Sequence, residues 1–265
     1  MEIGLIRYNL KKDSHRNVIV IIIISIILAI GNLNILSVSK SQEGLNISQI
    51  FISVFGGVSD GVEFQEQLIV FLQWLFPHLV ILYLGNIYIS NKLMDDMIII
   101  LPRLKSKVKW LFTIQSSIIL VIIKYYIIMF VVYVVTSYIF IGQKVFLKND
   151  YGLILSIGIL AILMSISLIL LLINLNIIFS KNSAISLILL LLIMISSLIK
   201  CSNGIFLKNM LINNAMILRH SDFNSNIKNF TLQYSIMYFI IFILLNFMVS
   251  FLLVNKSEIR RLKMF

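Results

Sequence analysis

Apolar and polar residues alternate along this chain on the scale of whole helices. Six long apolar runs are separated by more polar stretches: Val18–Leu36, Leu68–Ser90, Leu111–Ile141, Gly152–Phe179, Ala184–Ile199 and Tyr234–Val254. A helix of about 18 or more apolar residues crosses roughly 30 Å of hydrocarbon, and in that setting every backbone polar group must bond within the helix. The pattern therefore predicts an all-α membrane protein, one permease domain of six spans. The third run is the longest and must tilt or project, and the fifth is the shortest. Pro77, in the middle of the second, removes a backbone donor and is expected to kink it.

The polar stretches carry patterns of their own. In Met1–Arg16, Ile3, Ile6 and Leu10 fall at helical spacing with Arg7, Lys11 and Lys12 displaced from them. That reads as an amphipathic helix at the membrane interface, against a simpler charged tail that fixes orientation. Between the first two spans, Ile47, Ile50, Phe51, Val54, Phe55 and Val58 form a stripe ended by Gly56, Gly57 and Gly61. It predicts an external helix lying on the membrane. Lys200–Gln233 mixes apolar turns with asparagines and bases, too polar to cross and too apolar to stay in water. A broken, re-entrant pair of external helices fits it.

The most basic interruption between spans is Asn91–Trp110, which holds Lys92, Arg103, Lys105, Lys107 and Lys109 beside the acids Asp95 and Asp96. Its middle, Met97, Ile98, Ile99, Ile100 and Leu101, is apolar, and Pro102 ends it. A mere link between spans needs no apolar centre. Two readings stand: a short helix offered to a cytoplasmic partner, or a loop whose apolar patch rests on lipid headgroups.

Charge orients the whole. Fourteen of the 22 Lys and Arg fall in the N-terminus, the second and fourth connections and the C-terminus, against seven in the other connections. Basic residues concentrate on the cytoplasmic side, so both termini are expected there. The net charge of +11 thus speaks for topology and anionic headgroups, and against nucleic acid as a partner. A single cysteine leaves no disulfide framework. The abundance of Ile, Asn and Lys suggests an AT-rich genome and a bacterial cytoplasmic membrane.

Candidate chemistry within the spans is sparse. Trp74, His78 and Gly85 share one face of the second span, and Lys124 sits deep in the third. A membrane-embedded cation usually faces protein or water and marks a pathway. The plainer readings are a histidine satisfied inside the bundle and a lysine that snorkels to the interface. No acid lies in any span, so a proton relay lacks its other half. G-x-x-x-x-G-K-[ST], H-E-x-x-H and G-x-S-x-G are all missing, which leaves no catalytic residues, metal ligands or cofactor site to assign.

This order of parts resembles the ABC-2 type permease family, the membrane subunits of ATP-driven exporters. Ile98–Lys109, IIILPRLKSKVK, looks like that family's apolar run, proline and basic residue leading into the third span. Asp95-Asp96 stands where the family often shows an acidic residue followed by glycine, and the re-entrant region lacks a proline frequent there. The resemblance implies that Asp95–Leu101, with Pro102 and Arg103, is a coupling helix seated on a separate ATPase subunit, which would hold the ATP and magnesium. It implies a second permease copy or a homologous permease, with the substrate path between them. Trp74, His78 and Lys124 would line that path, and an amphipathic peptide or lipid would be the cargo. Export of, or immunity to, antimicrobial peptides is the association it brings. Two other classes stand beside this one: an ATP-independent channel or carrier, which would work alone, and a membrane immunity or sensor subunit, which would bind peptide without flux.

Overall fold

The computed structural model describes residues 15–39, 47–58, 64–99, 106–141, 151–179, 188, 190–193, 209–223 and 231–256. The regular elements among them are helical: α1 (His15–Ser39), α2 (Ile47–Phe55), α3 (Phe64–Ile99), α4 (Lys107–Ile141), α5 (Tyr151–Phe179) and α6 (Leu232–Lys256). Two 3-10 turns, Asn213–Ala215 and Ile217–Arg219, precede α6. Five helices, α1, α3, α4, α5 and α6, are long and apolar enough to cross a membrane. The chain is thus an α-helical protein of membrane-embedded character. The predicted fifth span is described only at Ile188 and Leu190–Ile193, which are helical. The predicted interfacial helix over Met1–Arg16 lies outside the described residues apart from His15 and Arg16, which open α1.

α5 is the axis of the bundle. In its apolar window 67% of residues are buried inside the protein, against 17% for α6 and 28% for α1. α6 packs along α5, α1 packs along α4, and α3 touches both α4 and α5. Gly85 lets α3 and α5 approach closely, since a Cβ there would stand 3.0 Å from Ile169 Cδ1. Hydroxyls within the spans are absorbed locally: Ser25, Thr113, Ser117, Thr136, Ser156 and Ser167 each donate to the carbonyl four residues back, at 2.6–2.8 Å. Each polar hydrogen is thereby satisfied without a partner from another helix.

Two elements differ from what the pattern predicts. α2 does carry the apolar stripe, but it lies inside the bundle. Ile47, Ile50, Phe51, Val54 and Phe55 are all 2% exposed or less, and the helix touches α1, α3 and α5. Phe51 and Phe55 also meet Phe130 and Tyr133 of α4, with ring centroids 5.0–5.6 Å apart. The physical reason is polar as well as apolar, because the spans supply donors for the backbone of α2. The second difference is α3, which runs unbroken from Phe64 through Pro77 to Ile99. Asp95, Asp96, Met97, Ile98 and Ile99 therefore continue the helix of the second span, where the sequence predicts a separate short helix from Asp95. Ile100, Leu101, Pro102 and Arg103 lie outside the described residues.

Candidate functional site

α1, α3, α4 and α5 surround α2, and polar side chains on all four gather at and below it. Asn32, in α1, donates to the Ser53 hydroxyl at 2.6 Å, to the Tyr133 hydroxyl at 2.9 Å and to the Ile50 carbonyl at 3.2 Å. Two amide hydrogens shared among three acceptors make these partly alternative. Tyr133 passes its own hydrogen to the Ile50 carbonyl at 3.1 Å. Gln73 of α3 approaches the Asn32 carbonyl oxygen at 3.4 Å.

Next to Gln73 on α3, Trp74 donates from Nε1 to the Phe55 carbonyl at 3.2 Å. That carbonyl ends a helix and lacks an intrahelical donor, so the indole satisfies an acceptor left open by the helix itself. Trp74 also meets His78 edge-on, ring centroids 4.8 Å apart. His78 Nδ1 bonds to the Tyr126 hydroxyl, which in turn pairs with Ser165 Oγ at 2.7 Å. These groups are buried, and among the described residues His78 Nε2 has no partner. An unpaired buried nitrogen costs about 1–3 kcal/mol, so it marks a place where another polar atom would be welcome.

The far edge of α2 is locked from a different part of the chain. Gly57 takes φ +82° and packs directly on Met216, where any side chain would collide. Leu218 N donates to the Gly56 carbonyl at 3.2 Å, and Arg219 Nε donates to the Val58 carbonyl at 3.0 Å. Arg219 also binds the Asn213 side-chain oxygen. His220 then joins this strap to α6: Nδ1 faces the Met216 carbonyl at 3.0 Å and Nε2 the Ser235 hydroxyl at 2.8 Å. Asp222 caps α6 through the Leu232 amide at 2.6 Å. Burial holds the His220 pKa below its ordinary value, against backbone carbonyls at Met216 and Ile217 and the Asp222 carboxylate, which raise it.

At the other end of the bundle, Gln115, Asn174, Asn246 and Ser250 form a knot joining α4, α5 and α6. Gln115 donates to Ser250 at 2.7 Å and Asn174 to the Asn246 side-chain oxygen at 3.0 Å.

Of the residues that the sequence nominates, Trp74 and His78 therefore meet, and Lys124 stands apart. Tyr126 faces His78, and a residue two positions earlier on a helix points about 200° away. The Lys124 ammonium lies 5.9 Å from the ring of Tyr125, whose hydroxyl accepts from Asn17 in the first turn of α1 at 3.3 Å. The participants that sequence reasoning misses are Asn32, Tyr126, Tyr133 and Ser165. A signal for them exists: amides and hydroxyls inside apolar runs, where polar groups hold helices together or mark pathways.

No curated protein and no solved structure matches the chain. A family model described as "Protein of unknown function (DUF2705)" matches residues 18–260. The chain belongs to the DUF2705 family.

Proposed function

We propose that this chain is the permease subunit of an ATP-driven exporter, moving an amphipathic peptide or lipid with energy from a separate ATPase subunit. Both termini and the segment around Asp95–Arg103 lie on the ATPase side of a bacterial cytoplasmic membrane. Up to Ile99 that segment is the end of α3.

One observation carries the proposal. α3 is 36 residues long, about 54 Å by helical rise, well beyond the roughly 30 Å of a bilayer core. The apolar run of the second span ends at Ser90 in the sequence, so about 13 Å of continuous helix carries Asp95 and Asp96 past the hydrocarbon. The same helix holds Trp74 against α2 and, one turn on, His78 against Tyr126. A push at the Ile99 end would reach His78 through continuous helix with no proline between them, as energy borrowed from a neighbour requires. Two such chains with two ATPases would form the working unit.

The test is co-purification and turnover. With Asp95→Lys and Asp96→Lys in the co-expressed complex, ATPase capture and substrate-stimulated ATP hydrolysis should both drop at least tenfold, a loss of about 1.4 kcal/mol in coupling. Wild-type behaviour in both measurements would remove the coupling role and with it the permease.

A second reading has its own support. The buried Nε2 of His78, without a partner among the described residues, suits an ATP-independent carrier that exchanges a proton there. It predicts flux by the purified chain alone under a pH gradient, abolished by His78→Phe, whereas the permease is inert without its ATPase.

A further inference from the structure

The way α2 is held has the character of ligand recognition. Donors on three spans address its main chain: Asn32 and Tyr133 at the Ile50 carbonyl, and Trp74 at the Phe55 carbonyl. Bonds to carbonyls do not read side chains, so they accept any helix of the right length and register. Side-chain fit comes from a buried apolar face, Ile47, Ile50, Phe51, Val54 and Phe55, and from the Ser53 hydroxyl met by Asn32. Its most distinctive part is two aromatics one turn apart, Phe51 and Phe55, which pack against Phe130 and Tyr133. The segment itself, ISQIFISVF, is uncharged.

We propose that the space among α1, α3, α4 and α5 is a binding site for a short, uncharged, apolar helical peptide with an aromatic pair one turn apart, and that α2 is an internal occupant which such a peptide displaces. The inference deepens the peptide-export reading by naming the class of cargo, and rests on that reading only for the fate of the peptide once bound. The strap at Gly57 and Arg219 keeps α2 in place when no peptide is present. The charge of Lys124 plays no part, since it points away from the site.

The whole chain in lipid vesicles tests this, with Cys201→Ser and Val54→Cys placing a single thiol on α2. Val54 is fully buried, so a water-soluble maleimide reaches that thiol only when α2 leaves. The probe is the synthetic peptide ISQIFISVF, compared with a version carrying proline at its sixth position, which removes an intrahelical donor and clashes with the preceding turn. The helical peptide should speed labelling by about fivefold or more through competition for the seat, and the proline version should not. Tyr133→Phe, which keeps the ring and removes one donor, should raise labelling without peptide and give the displacement a second, milder handle. Equal labelling with and without the helical peptide in both backgrounds, or equal action of the proline peptide, overturns the site. ATP-driven flux is a separate readout: displacement without flux upholds the site and removes the exporter, and flux without displacement does the reverse.

Discussion

Asn32 and His220 carry the most testable single-residue consequences. Asn32→Leu leaves the Ile50 carbonyl and the Ser53 and Tyr133 hydroxyls with one donor fewer. Polar bonds between helices in lipid are worth about 0.6 kcal/mol on average and up to roughly 1.7. The substitution should therefore lower stability by about 1–2 kcal/mol, and Tyr133→Phe by less, as read from unfolding in mixed detergent. At His220 the sign follows from burial. Its pKa in the folded chain lies below the ordinary 6.5, so the unfolded chain binds the proton more readily. Stability is complete above about pH 6.5 and falls as acid takes the pH down towards the lowered value. The thermal midpoint should drop between about pH 7 and 5, and His220→Gln should flatten that slope. Neither residue announces its role in the sequence. Asn32 reads as a polar interruption near the end of the first span, and His220 as one of three scattered histidines. Their partners Ser53, Tyr133 and Ser235 lie 15 to 101 positions away, and no local spacing encodes such pairings.

At the level of elements, the apolar periods locate the spans because length and hydrophobicity alone decide that question in a membrane. The destination of α2 is not legible for a related reason. An apolar stripe fits a lipid surface and a bundle interior equally well, and only the donors on α1, α3 and α4 distinguish them. The continuity of α3 past its apolar window is also hidden. Asn91–Ile99 looks like a connection by polarity, yet contains no residue that stops a helix before Pro102. If that continuity transmits work, a flexible joint should sever it. Inserting Gly-Gly between Ser90 and Asn91 should leave folding and ATPase capture intact and uncouple ATP hydrolysis from transport, measured as flux per ATP in reconstituted vesicles. Unchanged flux per ATP would show that α3 does not act as a lever.

For the whole molecule, the charge distribution and the six apolar runs lead to one topological expectation. In sealed right-side-out vesicles, thiols introduced by Glu2→Cys and Met264→Cys in a Cys201→Ser background should be labelled only after permeabilisation. Labelling of either from outside would break the six-span arrangement and the position assigned to the ATPase. Five spanning helices come directly from length and apolarity, whereas the sixth rests on the run Ala184–Ile199.

α6 is fastened at both extremities. Its first turn is held by Asp222 and, through Ser235, by His220. Fifteen residues on, about 22 Å further along, Ser250 is tied to Gln115. A beam anchored at two supports gives way at its centre, and helices ordinarily loosen from their tips inward. In detergent, amide hydrogen exchange along 232–256 should therefore run against that usual order, fastest around Phe242 and slowest near the ends. A pore or lateral opening beside this helix would then begin at mid-height, with both rims still closed.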